Sequence, residues 1–256
     1  MKRPLFSCVV PVKGSRPFMD AALDSLSAQE MGDDLEIIVQ DGDVEPDAGQ
    51  SDALNRGFAK ARGDWLFWLN ADDILLPGAL RAVRDLSERR GLEVDWISGN
   101  VQYIDVAGRI LRCAVDRGAR WMYRGLPMRV YGPSSFFRRA LYERCRVEGT
   151  GFDVGLRYMM DTDLWERFRR AGAWPIKVKR YIWGFRIHTG SLTSEDLYGR
   201  TPAAMLDEYR LLDSRYCTCR GGWRSKWIRI IRLMDGSYLR AALDTFRLKG
   251  KGVCGV

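Results

Sequence analysis

Residues 45–73 read EPDAGQSDALNRGFAKARGDWLFWLNADD, and this stretch decides the fold. The turn formers of EPDAGQ come first. A helix is expected from about Ser51 to Ala61, with Ser51 or Asp52 as its cap and Gly63 closing it. The run WLFWL, Trp65 to Leu69, is apolar on both alternating faces, as in a strand buried on both sides. It leads directly into Asn70-Ala71-Asp72-Asp73. Solubility is a poor reason for two adjacent acids after so apolar a run. Hard divalent cations take carboxylate oxygens, and a diphosphate takes such a cation to offset its charge. The plainer alternative has Asp72 and Asp73 cap the helix entered at Pro77.

Outward from this stretch the same alternation continues. Leu5 to Val12 (LFSCVVPV) and Glu36 to Gln40 (EIIVQ) read as buried strands, the second ending on Asp41-Gly42. A helix opened by Pro17 separates them, running to about Gln29. After Pro77 another helix carries Leu80, Val83 and Leu86 on one face. Asp95 to Tyr103 is expected as a strand, followed by a turn at Ala107-Gly108 and a short strand near Ile110. Residues 113–135 read as irregular, 161–171 as a helix, and 176–187 as a long β-rich stretch. Strand alternating with helix up to residue 100 predicts an α/β fold, a mostly parallel Rossmann-like sheet with helices on both faces. Ligands in such sheets sit beyond the carboxyl ends of the strands, where Pro11-Val12-Lys13, Asp41-Gly42 and Asn70 to Asp73 fall.

Bulk properties narrow the classes. The chain of 256 residues, 46% apolar, suits one large α/β domain with appendages. Six cysteines lack paired metal-ligand spacing, so reduced thiols are expected rather than a disulfide framework. The first apolar run is about six residues, too short for the core of a signal peptide. No apolar run approaches the length of a membrane span. Net charge is +8, of which +7 lies from Arg220 to the end, where nine Lys or Arg face only Asp235 and Asp244.

Five segments in register resemble a family 2 glycosyltransferase of the A-type nucleotide-sugar fold, from about residue 5 to about residue 195. They are CVVPVKG, EIIVQDG, the quoted stretch 45–73, MDTDLWERFRRAG and FRIHTGSLT. The resemblance implies a nucleotide-sugar-binding half (1–100) and an acceptor half (101–200) in one catalytic domain, followed by a helical basic extension (201–256). It implies that Pro11 and Val12 line the base pocket, that Asp41 contacts base or ribose, and that Asn55 and Arg56 help hold the nucleotide. Asp72 and Asp73 match the acidic motif that binds Mn²⁺ or Mg²⁺, with Asp73 as the expected direct ligand. Asp161 matches the general base of an inverting transfer. Arg186 and His188 match the strand end that reaches the diphosphate or the metal. Ser134 and Ser135, in the loop between the two halves, and Asp163 are candidate acceptor contacts.

The residues alone leave some of these roles open. Asp161 and Asp163 open a helix, where acids commonly cap. His188, the one histidine of the chain, excludes any multi-histidine zinc site, and as the residue two after Arg186 it would share a strand face with it. Trp121, Met122, Tyr123, Phe136 and Phe137 fit a sugar-stacking surface or a core equally well. About twenty residues present in most relatives between the second strand and the acidic turn are missing here, enough for a helix and a strand.

The function expected is transfer from a nucleoside-diphosphate sugar, UDP favoured, to a hydroxyl of a glycan or lipid-linked acceptor in envelope or exopolysaccharide synthesis. The alternative is a catalytically silent nucleotide-sugar binder or scaffold; a nucleotidyltransferase would call for a Gly-rich loop where PVKGSRP stands. Trp223, Trp227, Ile230, Ile231 and Met234 at helical spacing, beside Arg224, Lys226, Arg229 and Arg232, predict a basic amphipathic helix. Peripheral contact with the cytoplasmic face of the inner membrane is the reading for that helix, with a helix packed back on the domain as the plainer one. No motif accompanies the charge that would make nucleic acid a partner.

Overall fold

The structure, a computed structural model, describes residues 3–115, 130–191, 201–216 and 223–253, with side chains omitted at 92 and 223–228. Trp121, Met122, Tyr123, Cys217, Cys219 and Cys254 lie outside the described residues, as do the side chains of Trp223, Arg224, Lys226 and Trp227.

The first half of the chain alternates β1 (Phe6–Val12), α1 (Met19–Ser27), β2 (Leu35–Asp41), α2 (Gln50–Lys60) and β3 (Trp65–Trp68). The two-residue β4 (Ile74–Leu75) and α3 (Ala79–Arg90) follow. Next come β5 (Trp96–Ile104), β6 (Ile110–Ala114), β7 (Ser135–Arg138) and α4 (Arg139–Arg144). The remainder is α5 (Met160–Arg170), β8 (Ile176–Arg186), α6 (Ala203–Tyr216), α7 (Trp223–Met234) and α8 (Ser237–Leu248).

One sheet carries all eight strands in the order β2-β1-β3-β7-β5-β8-β4, with β6 against β5. The β2-β1-β3 half is parallel, as is β5 with β8, whereas β4, β6 and β7 run antiparallel to their neighbours. The segment 113–135, expected to be irregular, ends in β7, which bridges the two parallel parts of the sheet.

Both faces of the sheet are covered, which is why β1 and β3 are apolar at successive positions. On one face Val9, Leu66 and Trp68 meet Leu54 and Phe58 of α2, Leu164, Trp165 and Phe168 of α5, and Met205 and Leu212 of α6. On the other, Phe6, Cys8, Val10, Trp65 and Phe67 meet Ala22 and Leu26 of α1 and Leu80 and Val83 of α3. A third cluster, Ile74, Ile104, Ile110, Cys113 and Val253, seats the C-terminal segment on β6. Cys8, Cys113 and Cys145 are buried free thiols. The helix α6 lies beyond residue 200, yet it packs into the same core as α2 and α5.

Gly57 sets how closely α2 approaches β1, because a methyl group there would drive into the Val9 side chain. Gly57→Ala gains helix propensity of about 1 kcal/mol but overpacks a filled core at a cost of about 1–3 kcal/mol. The clash is expected to win: chemical denaturation should show a lower midpoint for Gly57→Ala at unchanged slope, and an unchanged or raised midpoint would contradict this packing.

Candidate active site

A cavity of about 550 Å³ opens at the carboxyl ends of β1 and β3 and is walled by Pro11, Val12, Asn70, Asp72, Asp161 and His188, among others. Its acidic centre follows from where β3 stops. Past Trp68 the backbone turns, with the Asp73 N–H bonded to the Asn70 carbonyl at 3.1 Å. The two adjacent carboxylates therefore part.

Asp73 turns inward and is 0% exposed. Its Oδ1 accepts the Arg186 backbone N–H at 2.9 Å and its Oδ2 accepts the Asn70 amide at 2.9 Å. Burial, and then the charge of Asp72 beside it, push its carboxyl well above the usual range. Asp72 turns toward the cavity, its side chain 32% exposed. Its Oδ2 lies 3.0 Å from Nε2 of His188. The Gly190 N–H donates to Nδ1 of His188, which leaves the proton on Nε2, pointing at Asp72. Phe18 packs on the imidazole with ring centroids 5.2 Å apart.

Arg186 does not face the cavity. It is buried, its Nε donating to the Asp72 carbonyl and its Nη1 to the Asp105 and Val106 carbonyls, with its guanidinium 4.6 Å above the Phe18 ring. Its reach to a diphosphate, expected from the family pattern, is replaced by a grip on the backbone that presents Asp72.

At another wall, Asp161 stands in the first turn of α5 and its Oδ1 accepts the Thr162 N–H at 2.6 Å. Gly132 lies so close to Asp161 and Trp68 that a Cβ there would crowd both. The turn is set from outside: Glu208 of α6 accepts the backbone N–H groups of Arg157, Tyr158 and Met159, each at 2.8 Å. Three successive backbone donors leading into the helix, the last on its cap residue Met159, are thereby satisfied by one carboxylate.

Pro11 and Val12 line the cavity, but Asp41 does not. Both of its oxygens are held by Arg16, at 2.6 and 2.8 Å, and this pairing holds its carboxyl below the usual range. Arg16 also takes Asp43 at 2.8 Å and is itself part of the cavity wall. Asn55 accepts the Gly151 and Phe152 N–H groups and donates to the Phe152 carbonyl, so it latches α2 to that loop rather than facing a ligand. Arg56 pairs with Asp52 on the helix surface.

The candidate acceptor contacts are not brought to the cavity. Ser134 and Ser135 are fully buried, the first donating to the Tyr131 carbonyl and the second accepting from the Trp96 indole. Asp163 is buried among Arg167, Arg215 and the Tyr216 hydroxyl. Sequence reasoning missed Arg16, Phe18 and Gln50 as cavity residues, and put Asn70 at a ligand-side strand end without giving it a role. Asn70 carried a usable signal, since it ends the same apolar run as Asp72; Arg16 and Phe18 carried none.

The sequence model of glycosyl transferase family 2 matches residues 45–145. A PGL/p-HBAD biosynthesis glycosyltransferase of Mycobacterium tuberculosis is 33% identical over 210 residues, 71% of this chain and 75% of the relative. The chain belongs to glycosyl transferase family 2. A second glycosyltransferase, from Rickettsia typhi, is 23% identical over 241 residues, 83% of this chain and 71% of the relative. Among solved structures, S. aureus TarS 1–349 in complex with UDP-GlcNAc superposes with a TM-score of 0.56 at 16% identity, over 76% of this chain and 64% of that one. The mannosyltransferase PcManGT from Pyrobaculum calidifontis, in complex with GDP-Man and Mn²⁺, superposes with a TM-score of 0.53 at 15% identity, over 96% and 88%. These likenesses establish the A-type glycosyltransferase fold for this family 2 member.

The two aspartates should therefore separate experimentally. Asp73→Ala orphans two buried donors, at about 1–3 kcal/mol each, and should lower the thermal midpoint of the protein strongly. Asp72→Asn, at a side chain 32% exposed, should leave the midpoint within about a degree or two of the parent, being a change of under ~0.5 kcal/mol. Equal loss of stability in both variants would overturn the opposed orientation of the pair.

Proposed function

We propose that this glycosyltransferase moves a sugar, with inversion, from a nucleoside-diphosphate sugar to an acceptor hydroxyl. The observation that carries the reading is that Asp161 and the Asp72–His188 pair face one cavity beyond the strand ends. A carboxylate able to take a proton and a ligand pair able to hold a cation are the two components a single displacement at an anomeric carbon requires.

The metal assignment moves by one residue from the sequence-based expectation. Asp72 and His188 line the cavity with side chains 32% and 19% exposed, whereas Asp73 is sealed. Among the described residues no third His, Cys, Asp or Glu joins them. Asp72, with His188, would hold Mn²⁺ or Mg²⁺, hard cations that take carboxylate oxygen. The chemistry supplied there is neutralisation of the charge that grows on the departing diphosphate. His188 would serve as a ligand through Nε2 only in the other tautomer, with its proton on Nδ1 and the Gly190 contact given up, while Arg186 fixes the Asp72 backbone beneath it.

Asp161 would accept the proton of the acceptor hydroxyl as the new C–O bond forms on one face of the sugar. The bond to the diphosphate oxygen breaks on the other. Pro11, Val12 and Arg16, which line the cavity, would border the base, whereas Asp41, outside the lining, would not. UDP remains the favoured nucleotide, and the acceptor is a glycan or lipid-linked hydroxyl of envelope or exopolysaccharide synthesis, reached at the cytoplasmic face of a membrane.

Calorimetry with UDP, GDP, their sugar conjugates and Mn²⁺, then with chelator, tests the donor site. Metal-dependent binding of one nucleotide is expected, lost in Asp72→Ala. Asp161→Asn should retain that binding while donor turnover falls by about 10²–10⁴-fold. Failure of every nucleotide to bind, or full turnover in Asp161→Asn, would sink the reading.

A further inference from the structure

From residue 229 on, where their side chains are described, the helices α7 and α8 bury polar groups and expose apolar ones. A surface helix ordinarily buries its apolar stripe and shows water its polar one. Here the fully buried side chains between residues 229 and 248 are polar: Arg232, Ser237 and Asp244. Arg232, buried, donates to the Val115 carbonyl at 2.7 Å and lies over the Tyr238 ring. Asp244, buried, accepts the Tyr181 hydroxyl at 2.6 Å and Arg240 at 2.8 Å. Thr245 accepts the Cys113 N–H at 2.8 Å.

The apolar groups point out. Phe246 is 88% exposed, Met234 77%, Leu233 67% and Leu239 66%, with Ile230 and Leu243 beside them. Leu239, Leu243 and Phe246 follow spacings of four and three, one stripe along α8, and the αL turn at Gly236 joins it to α7. Single exposed apolar residues need no explanation, but six on two consecutive helices do. Cations border them: Arg229, Arg240, Arg247, Lys249 and Lys251 are all exposed. Of the two acids in this segment, Asp244 is buried and Asp235 half-buried.

We infer that this face of α7 and α8 is a membrane-docking surface whose partner is an anionic lipid bilayer. Leucine and phenylalanine side chains enter the acyl boundary, and the bordering Arg and Lys side chains meet headgroup phosphates. No described helix is long and apolar enough to cross a membrane, so the helices lie in the surface. A second copy of this chain fits less well, because a two-fold contact would set the cations of one copy against those of the other. The inference deepens the membrane-face acceptor proposed above by naming the surface that touches lipid.

The test is co-sedimentation of the full chain with phosphatidylcholine vesicles and with phosphatidylcholine–phosphatidylglycerol vesicles. Binding is expected to the anionic vesicles only, weakened by salt. The double variant Leu239→Asp, Phe246→Asp should lose at least about tenfold in partitioning, and so should Arg247→Glu, Lys249→Glu. Donor binding, read by calorimetry on the same samples, should stay unchanged in both, because none of these side chains lines the cavity. Equal sedimentation of parent and variants, a parent that stays in the supernatant, or dimers abolished by the same substitutions would overturn the proposal. Loss of the donor reading would appear separately, as absent nucleotide binding in the parent.

Discussion

The buried carboxylate of Asp73 is the point on which the site depends. It joins the end of β3 to the end of β8, strands separated by more than a hundred residues, through the Arg186 N–H. Arg186 then closes the junction from the other side, gripping the carbonyls of Asp72, Asp105 and Val106. Three strand ends thus meet around one acid and one base, both withdrawn from solvent. An acid so buried is costly unless hydrogen-bonded, and here each carboxylate oxygen has a donor. The chain Gln50 to Asn70 to Asp73 extends the junction to α2, with the first of these bonds at 2.8 Å. Asp72 and His188 acquire their positions as neighbours of this junction: one precedes Asp73, the other follows Arg186 by two residues.

Asp161 is positioned by a different part of the chain. Its helix starts where Glu208 has gathered three backbone donors, and the same helix is tied to α6 again by Asp163 with Arg215 and Tyr216. Asp161 is therefore aimed from residues beyond 200, outside the stretch that resembles the family. That dependence gives Asp163 its meaning. It is the partner of a buried ion-pair network, and such a network fixes geometry more than it adds stability.

Legibility followed how local the deciding physics was. β1, β2, β3 and α2 were readable because long apolar runs and turn residues set them without help from the rest of the chain. β7 was not, since four residues, SFFR, carry no period, and their strand state depends on β3 and β5 being present on either side. Adjacent acids must diverge, but which of Asp72 and Asp73 turns inward depends on where β3 ends, a register that no spacing reveals. Arg186 and His188 were expected on one face by strand alternation; β8 stops at Arg186, so the rule lapses between them. Ser134 and Ser135 were polar and therefore looked accessible, yet a carbonyl and an indole satisfy them in the core. Asn55 failed similarly: its amide matches three backbone groups of a loop nearly a hundred residues away, information absent from any local window.

The shortened connection after Asp43 has a physical counterpart in the loop from Lys13 to Phe18. Arg16 closes on Asp41 and Asp43, the Gly14 N–H donates to Asp43 at 2.9 Å, and Lys13 reaches Asp47. Gly42 can have no side chain there, because a Cβ would meet Asp47 and Lys13. The opposite end of the same loop places Phe18 against both His188 and Arg186. A six-residue segment thus braces the β2 end of the cavity and the acidic centre at once. Ion pairs this exposed contribute little to stability individually; their effect is to hold a turn that would otherwise lack a neighbour. A change at Arg16 would then reach His188 through Pro17 and the Phe18 ring, without any contact between the two side chains.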